Sequence, residues 1–225
     1  MEKSRFFLRL IMLFSFMIGG SSIRNVQAIN PNSTDFGDET AAMDYSGDWF
    51  ADIQEEIINS EYRITWQESV ALEGFPAAYQ APNRAQNVRT FFTQNGISII
   101  PRQWMDEEVG PPWQFNLGLI DQFSILTSSE PEVIENQITY QRGAIAESYR
   151  NSNEGLQLEV RMDQPLSNAS SVGLRLSYAW SGTLAASLMD GNVAQFVDEN
   201  GSGLRLGNIS AHDSSNQTLP VEIIL

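Results

Sequence analysis

From residue 137 onward the chain repeats one pattern: a short run of alternating apolar and polar residues, then a cluster of Gly, Asn, Asp, Ser or Pro. Leu156, Leu158, Val160 and Met162 hold every second position, as do Leu174, Leu176, Tyr178 and Trp180. A period of two places such residues on one face of a strand and the polar ones on the other. Wound as a helix, the same runs would scatter their apolar residues around the axis. Strands are expected at residues 137–141, 144–150, 156–162, 173–180, 183–189, 193–197, 204–210 and 220–225. Turn residues fill the breaks at 151–155, 165–171, 181–182, 190–192, 198–203 and 213–218. Strands punctuated every 8–12 residues or so mark an antiparallel sandwich or barrel. The helix–strand alternation of a parallel sheet is absent, and no internal repeat is visible.

The first half is more varied. Residues 48–60 (DWFADIQEEIINS) form the one convincing helical pattern. Asp48 can cap it, and Trp49, Phe50, Ile53 and Ile57 fall at helical spacing. Tyr62, Ile64 and Trp66 then alternate in strand fashion. The sharpest local signal is Asn95-Gly96, set between Val88-Arg-Thr-Phe-Phe-Thr-Gln and Ile97-Ser-Ile-Ile100. Asn-Gly between alternating segments predicts a hairpin whose two turn residues both take positive φ. Residues 114–126 read as one long or bent strand. The expected fold is an all-β antiparallel β-sandwich of many short strands with one short N-terminal helix.

The N-terminus has a different character. Lys3, Arg5 and Arg9 precede an apolar run from Leu10 to Ile18, and Val26-Gln27-Ala28 offers small residues for a peptidase. These are the three parts of a secretory signal peptide. The apolar run falls well short of the roughly 20 residues that span a bilayer. The expected division is a leader at 1–28, a polar mature N-terminus at 29–46 and a β-sandwich domain at 47–225. Without the leader, 197 of the 225 residues remain. A chain of that size buries about 70% of its unfolded surface, enough to stand without disulfides, and it has no cysteine.

Removing the leader takes away Glu2, Lys3, Arg5, Arg9 and Arg24. Nine arginines, no lysine and 27 acidic residues are left, for a net charge near −18. Nucleic acid and anionic membranes require a basic face, so neither is an expected partner. No membrane span is expected in the mature chain, and the product is expected to be secreted or held at the cell surface.

Motifs for chemistry are sparse. His212 is the only histidine, and it reads as a solvated loop residue between the last two strands. One histidine without cysteine cannot build a zinc site or a cysteine nucleophile pair. Asp190-Gly-Asn192 and Asp198-Glu-Asn-Gly-Ser202 supply oxygens but lack the spacing of a calcium loop. They read as hairpin turns. Glu55-Glu56 and Glu107-Glu108 are adjacent in sequence and do not converge on one glycosidic bond. No catalytic residue, metal or cofactor is expected, and a carboxylate-based glycoside hydrolase ranks last. Trp104 and Trp113 flank the loop Met105-Asp-Glu-Glu-Val-Gly-Pro-Pro112. They are the candidate ligand-facing aromatics, with a glycan as the class of ligand. Trp180 and Tyr178 lie on the apolar phase of their strand and are expected in the core.

Three stretches carry a family resemblance. They are Ala81-Pro-Asn-Arg-Ala-Gln-Asn-Val-Arg-Thr-Phe-Phe with Asn95-Gly-Ile-Ser-Ile-Ile-Pro-Arg102; Glu147-Ser-Tyr-Arg-Asn151 leading to Gly155-Leu156; and Gly203-Leu-Arg-Leu206 with Asp213 and Leu219-Pro220. Together they resemble the N-terminal β domain of large bacterial secreted proteins that carry FG-GAP, SBBP or similar propeller-type repeats downstream. The resemblance spans roughly residues 47–225 and rests on strand and turn patterns. It implies a non-enzymatic β-sandwich module at the head of an extracellular or surface protein, structural or adhesive in role, with no catalytic residues to carry over. The family pattern continues into a further strand pair and repeats, so this chain is expected to be part of a longer one.

Overall fold

A computed structural model describes residues 6–10, 60–70, 72, 74–102, 110–121, 124–126, 128, 130–162, 174–189 and 192–225. The expected helix at 48–60 lies outside the described residues, except for Ser60 at its end. Nearly all the regular secondary structure of the described chain is strand.

Three antiparallel sheets account for it. The first is built from β1 (Phe6–Leu10), β8 (Glu132–Ile134), β9 (Gln137–Arg142), β10 (Ile145–Ser152), β11 (Gly155–Met162), β16 (Ile209–Asp213) and β17 (Thr218–Leu219). Their order across the sheet is β17-β16-β1-β11-β10-β9-β8. The second contains β2 (Thr65–Gln67), β3 (Ala78–Asn83), β4 (Val88–Thr93), β5 (Gly96–Pro101), β6 (Phe115–Asp121), β7 (Ser124–Ile125) and β12 (Ser177–Gly182). It runs β12-β6-β5-β4-β3-β2, with β7 paired to β6. The third is the meander β13 (Ala185–Met189), β14 (Val193–Val197) and β15 (Gly203–Leu206).

The first two sheets face one another across a single core. Ile138, Tyr140, Tyr149, Leu158 and Val160 of the first pack with Phe92, Ile97, Ile99, Phe115 and Leu119 of the second. The rings of Phe92 on β4 and Tyr149 on β10 meet at 5.8 Å. The small sheet closes one end through Phe196, whose ring is 4.7 Å from Phe115. This is the sandwich-like all-β architecture that the period of two anticipates.

Strands β4 and β5 are buried on both faces. On their outer side Phe91 and Ile100 form a second small cluster with Leu72, backed by Val70 and Phe75. The doublets Phe91-Phe92 and Ile99-Ile100 follow from this, since adjacent strand residues point to opposite faces.

The Asn-Gly hairpin forms between the expected strands, with a different turn. Thr93 pairs with Gly96, so Gln94 and Asn95 are the central residues. Of the two expected positive-φ positions only Gly96 has one, at 137°. A Cβ there would lie 2.1 Å from the Leu117 carbonyl oxygen of β6. The glycine is therefore required by the close approach of the neighbouring strand.

Three further expectations are revised. Residues 114–126 form β6 and β7, separated by residues 122–123. The expected strand at 204–210 is two strands, β15 and β16, in different sheets. Asn208, at a φ of 55°, turns the chain between them. Residues 220–225 join no ladder, although β17 just before them does.

Candidate functional site

The buried polar groups are the first place to look for chemistry, because an ionised side chain is costly to desolvate unless it is paired. Strand β9 places Ile138, Tyr140 and Arg142 on its inner face, and β10 places Ile145, Glu147, Tyr149 and Asn151 there. A charged residue thus sits on the apolar phase of each of two neighbouring strands.

The two side chains are fully buried and meet. Arg142 Nε donates to Glu147 Oε2 at 2.7 Å. Arg142 Nη1 donates to the carbonyl of Gln94 at 3.0 Å and to that of Leu126. The guanidinium lies 4.7 Å from the centre of the Tyr140 ring, a cation–π geometry. Tyr149 donates its hydroxyl to Glu147 Oε1 at 2.9 Å. Burial pushes the Tyr140, Tyr149 and Tyr178 phenols well above their ordinary range, and the Glu147 charge adds to the shift at each. The cluster lies in the core and has no path for a substrate to touch its carboxylate. Its chemistry is cohesion, tying β9 and β10 to the β4–β5 turn of the facing sheet.

A second polar node joins the sheets near their opposite end. Asn83 Nδ2 donates to Asn151 Oδ1 and to the Ser152 carbonyl, both at 2.8 Å. Asn151 Nδ2 donates to the carbonyls of Tyr62 at 3.1 Å and Pro82 at 2.8 Å. Asn136 Nδ2 donates to the Asn151 carbonyl at 2.8 Å. These amides bind backbone carbonyls at and beside the strand ends and so tie β3, β10 and the segment before β2 together.

Trp113 is 1% exposed and belongs to the main core, so its indole has no face open to a ligand. Its position next to the Pro-Pro turn suggested the surface, but the chain enters the sandwich before β6 begins. Trp104 lies outside the described residues. Among the described residues the exposed tryptophans are Trp66 and Trp180, at 50% and 41%. Trp66 sits edge-on to Tyr79, its cross-strand partner, at 5.1 Å. Trp180, expected in the core, instead caps Phe196 at 5.4 Å from the rim. They occupy β2 and β12, the two edges of the second sheet. Five strand spacings of about 4.8 Å separate those edges, so the two indoles do not form one platform.

The acidic turns use their oxygens internally. Asp198 Oδ1 accepts from the N–H groups of Asn200 and Ser202. Asp213 Oδ1 accepts from the N–H groups of Ser215 and Gln217 and from the Ser215 hydroxyl. The Ser215 bond and the backbone donors hold the Asp213 carboxyl below its ordinary range. Among the described residues no group of His, Asp and Glu gathers as a metal site. His212 lies within β16 and not in a loop, with Nδ1 buried. An open depression of about 360 Å³ beside β8, β9 and β10 is lined by Glu132, Glu135, Gln137 and Arg150, among others. Arg150 is engaged there with Gln137 at 2.9 Å. No helix among the described residues is long and apolar enough to cross a membrane.

No protein-family model, no curated protein and no solved structure matches the chain.

Arg142 and Glu147 were missed by sequence reasoning that sought exposed or motif-spaced groups. The available signal was their phase: each falls on the apolar face of an otherwise regular strand.

Proposed function

We propose that the chain is a non-enzymatic β-sandwich module, exported by its N-terminal leader, that serves as a structural or adhesive head of a larger secreted or surface protein. The observation that carries this reading is the sealed Arg142–Glu147–Tyr149 cluster. In this buried constellation both carboxylate oxygens of Glu147 are engaged, by Arg142 and by Tyr149, and Arg142 also reaches the Gln94 carbonyl of the facing sheet. The turn carboxylates of Asp198 and Asp213 are likewise occupied by their own backbone. The surplus of acidic residues suits a protein that must remain dispersed outside the cell. The test is to express the full chain with an export pathway, recover the exported product and assay it against a panel of polysaccharide, ester and peptide substrates. The expected result is no turnover above buffer. Turnover abolished by a single carboxylate substitution overturns the reading.

A carbohydrate-binding role is the second reading, carried by the exposed Trp66–Tyr79 pair on an edge strand. An open indole face can stack on a sugar ring. A glycan ligand would shift Trp66 fluorescence, and Trp66→Ala would abolish the shift. An unchanged spectrum across a broad glycan panel removes this reading.

A further inference from the structure

Processing after Ala28 removes a strand from inside a sheet. Strand β1 pairs antiparallel with β11 on one side, through Phe6–Met162, Phe7–Arg161 and Leu8–Val160. On the other side it pairs antiparallel with β16, from Phe6–Asp213 to Leu10–Ile209. Neighbouring strands lie about 4.8 Å apart, so its loss leaves a slot of roughly 9–10 Å between β11 and β16. Both walls then present unpaired N–H and C=O groups, and such edges recruit strands.

The same chain holds a segment of strand composition outside any sheet, attached through Ile223 at the margin of the core and through the Val221 carbonyl, which accepts from Asn192 Nδ2. Residues 221–225 (Val-Glu-Ile-Ile-Leu) have strand composition, yet they join no ladder. Ile224 and Leu225 are 67% and 52% exposed. Resting on the export reading above, we propose that in the mature protein this segment of a second copy enters the slot, antiparallel to both walls, and couples the copies by strand exchange.

Pattern and charge both fit. With Val221 at the position of Phe6, Ile223 falls at that of Leu8, between Val160 and Ala211, both buried and apolar. Leu225 falls at that of Leu10, beside Ile209. Glu222 falls at that of Phe7, between Arg161 and His212. The one acidic residue of the segment thereby meets the basic residues of both walls.

The chain's own tail cannot make this exchange. Strand β17 already runs antiparallel to β16 on its outer side, at Ala211–Leu219 and His212–Thr218. A strand in the slot, also antiparallel to β16, would be parallel to β17. Parallel strands need a crossover of a dozen or more residues, and Pro220 alone separates the two segments.

The test begins with intact mass and light scattering on the exported chain. The expected product lacks residues 1–28 and forms dimers or larger assemblies. A synthetic peptide of residues 4–12, added in excess, should compete for the slot and release monomers. Ile224→Pro deletes a backbone donor at an exposed position and should give a folded monomer. Glu222→Arg should weaken association roughly two- to fivefold, and Arg161→Glu in the same chain should restore it. A processed chain that stays monomeric, or an Ile224→Pro variant that still assembles, overturns the inference and leaves the export reading standing. A product that retains its leader overturns both.

Discussion

At the scale of single residues, the buried ion pair decides the most. Removing one partner strands the other charge in the core, which costs about 3–5 kcal/mol. Arg142→Leu is therefore expected to lower the urea-unfolding free energy by that amount. Arg142→Leu combined with Glu147→Leu should recover much of the loss, because no unpaired charge remains. If the double variant is as unstable as the single, the pair contributes more than mutual neutralisation. The three buried phenols set the behaviour at high pH. Their folded pKa values lie above the unfolded value near 10. Their stabilising contribution is thus complete below pH 10 and is lost as pH rises beyond it. Absorbance at 295 nm should show them ionising together with unfolding and not before it. Early titration of all tyrosines would contradict their burial. The tryptophans show what phase can and cannot tell. Alternation places Tyr178 and Trp180 on one face of β12, but it does not say where the facing layer ends. Tyr178 tucks its hydroxyl inside, while Trp180, two residues on, overhangs the rim. Acrylamide quenching should accordingly fall in Trp66→Phe and Trp180→Phe and hold steady in Trp113→Phe.

At the scale of elements, strands with unbroken alternation were legible almost to the residue. The expected strand at 193–197 is β14, and the one at 156–162 is β11 less its first glycine. Misreadings arose where one stretch serves two sheets. Gly207-Asn208 carries turn chemistry inside an apolar run, and Asn208 takes the left-handed conformation that moves the chain from β15 to β16. Residues 220–225 have the β-branched composition of a strand, but composition specifies no partner. The hairpin at Gly96 shows the same limit: the sequence locates the bend, while the contact with Leu117 determines which residue must be glycine. Gly96→Ala is expected to cost at least 1–3 kcal/mol or so from backbone strain alone, with a further loss as β6 is pushed away. Asn95→Ala, at a residue with ordinary φ, should cost far less. Thermal melts of the two variants separate these origins, and equal losses would return the requirement to the turn itself.

At the scale of the whole molecule, charge is the dominant feature outside the core. In the processed chain that the export reading proposes, nine arginines face 27 acidic residues. Two ion pairs among the described residues are the buried Arg142–Glu147 and the exposed Arg84–Glu61 at 3.4 Å. The first is shielded from salt by burial, and the second contributes little. Added salt therefore has little attraction to weaken and much repulsion to screen. At about 0.1 M the screening length is near 10 Å, shorter than the distance across the sandwich. The melting temperature should rise as NaCl is increased from low to moderate concentration, with KCl acting alike. Association between copies should strengthen over the same range. In the proposed assembly of processed chains, two bodies near −18 would repel each other, and a single Glu222–Arg161 contact would lose less to screening than that repulsion does. A melting temperature that falls with salt would mean that surface ion pairing outside the described residues outweighs the net charge. A flat response would mean that the acidic side chains are spread widely enough for their repulsion to be negligible.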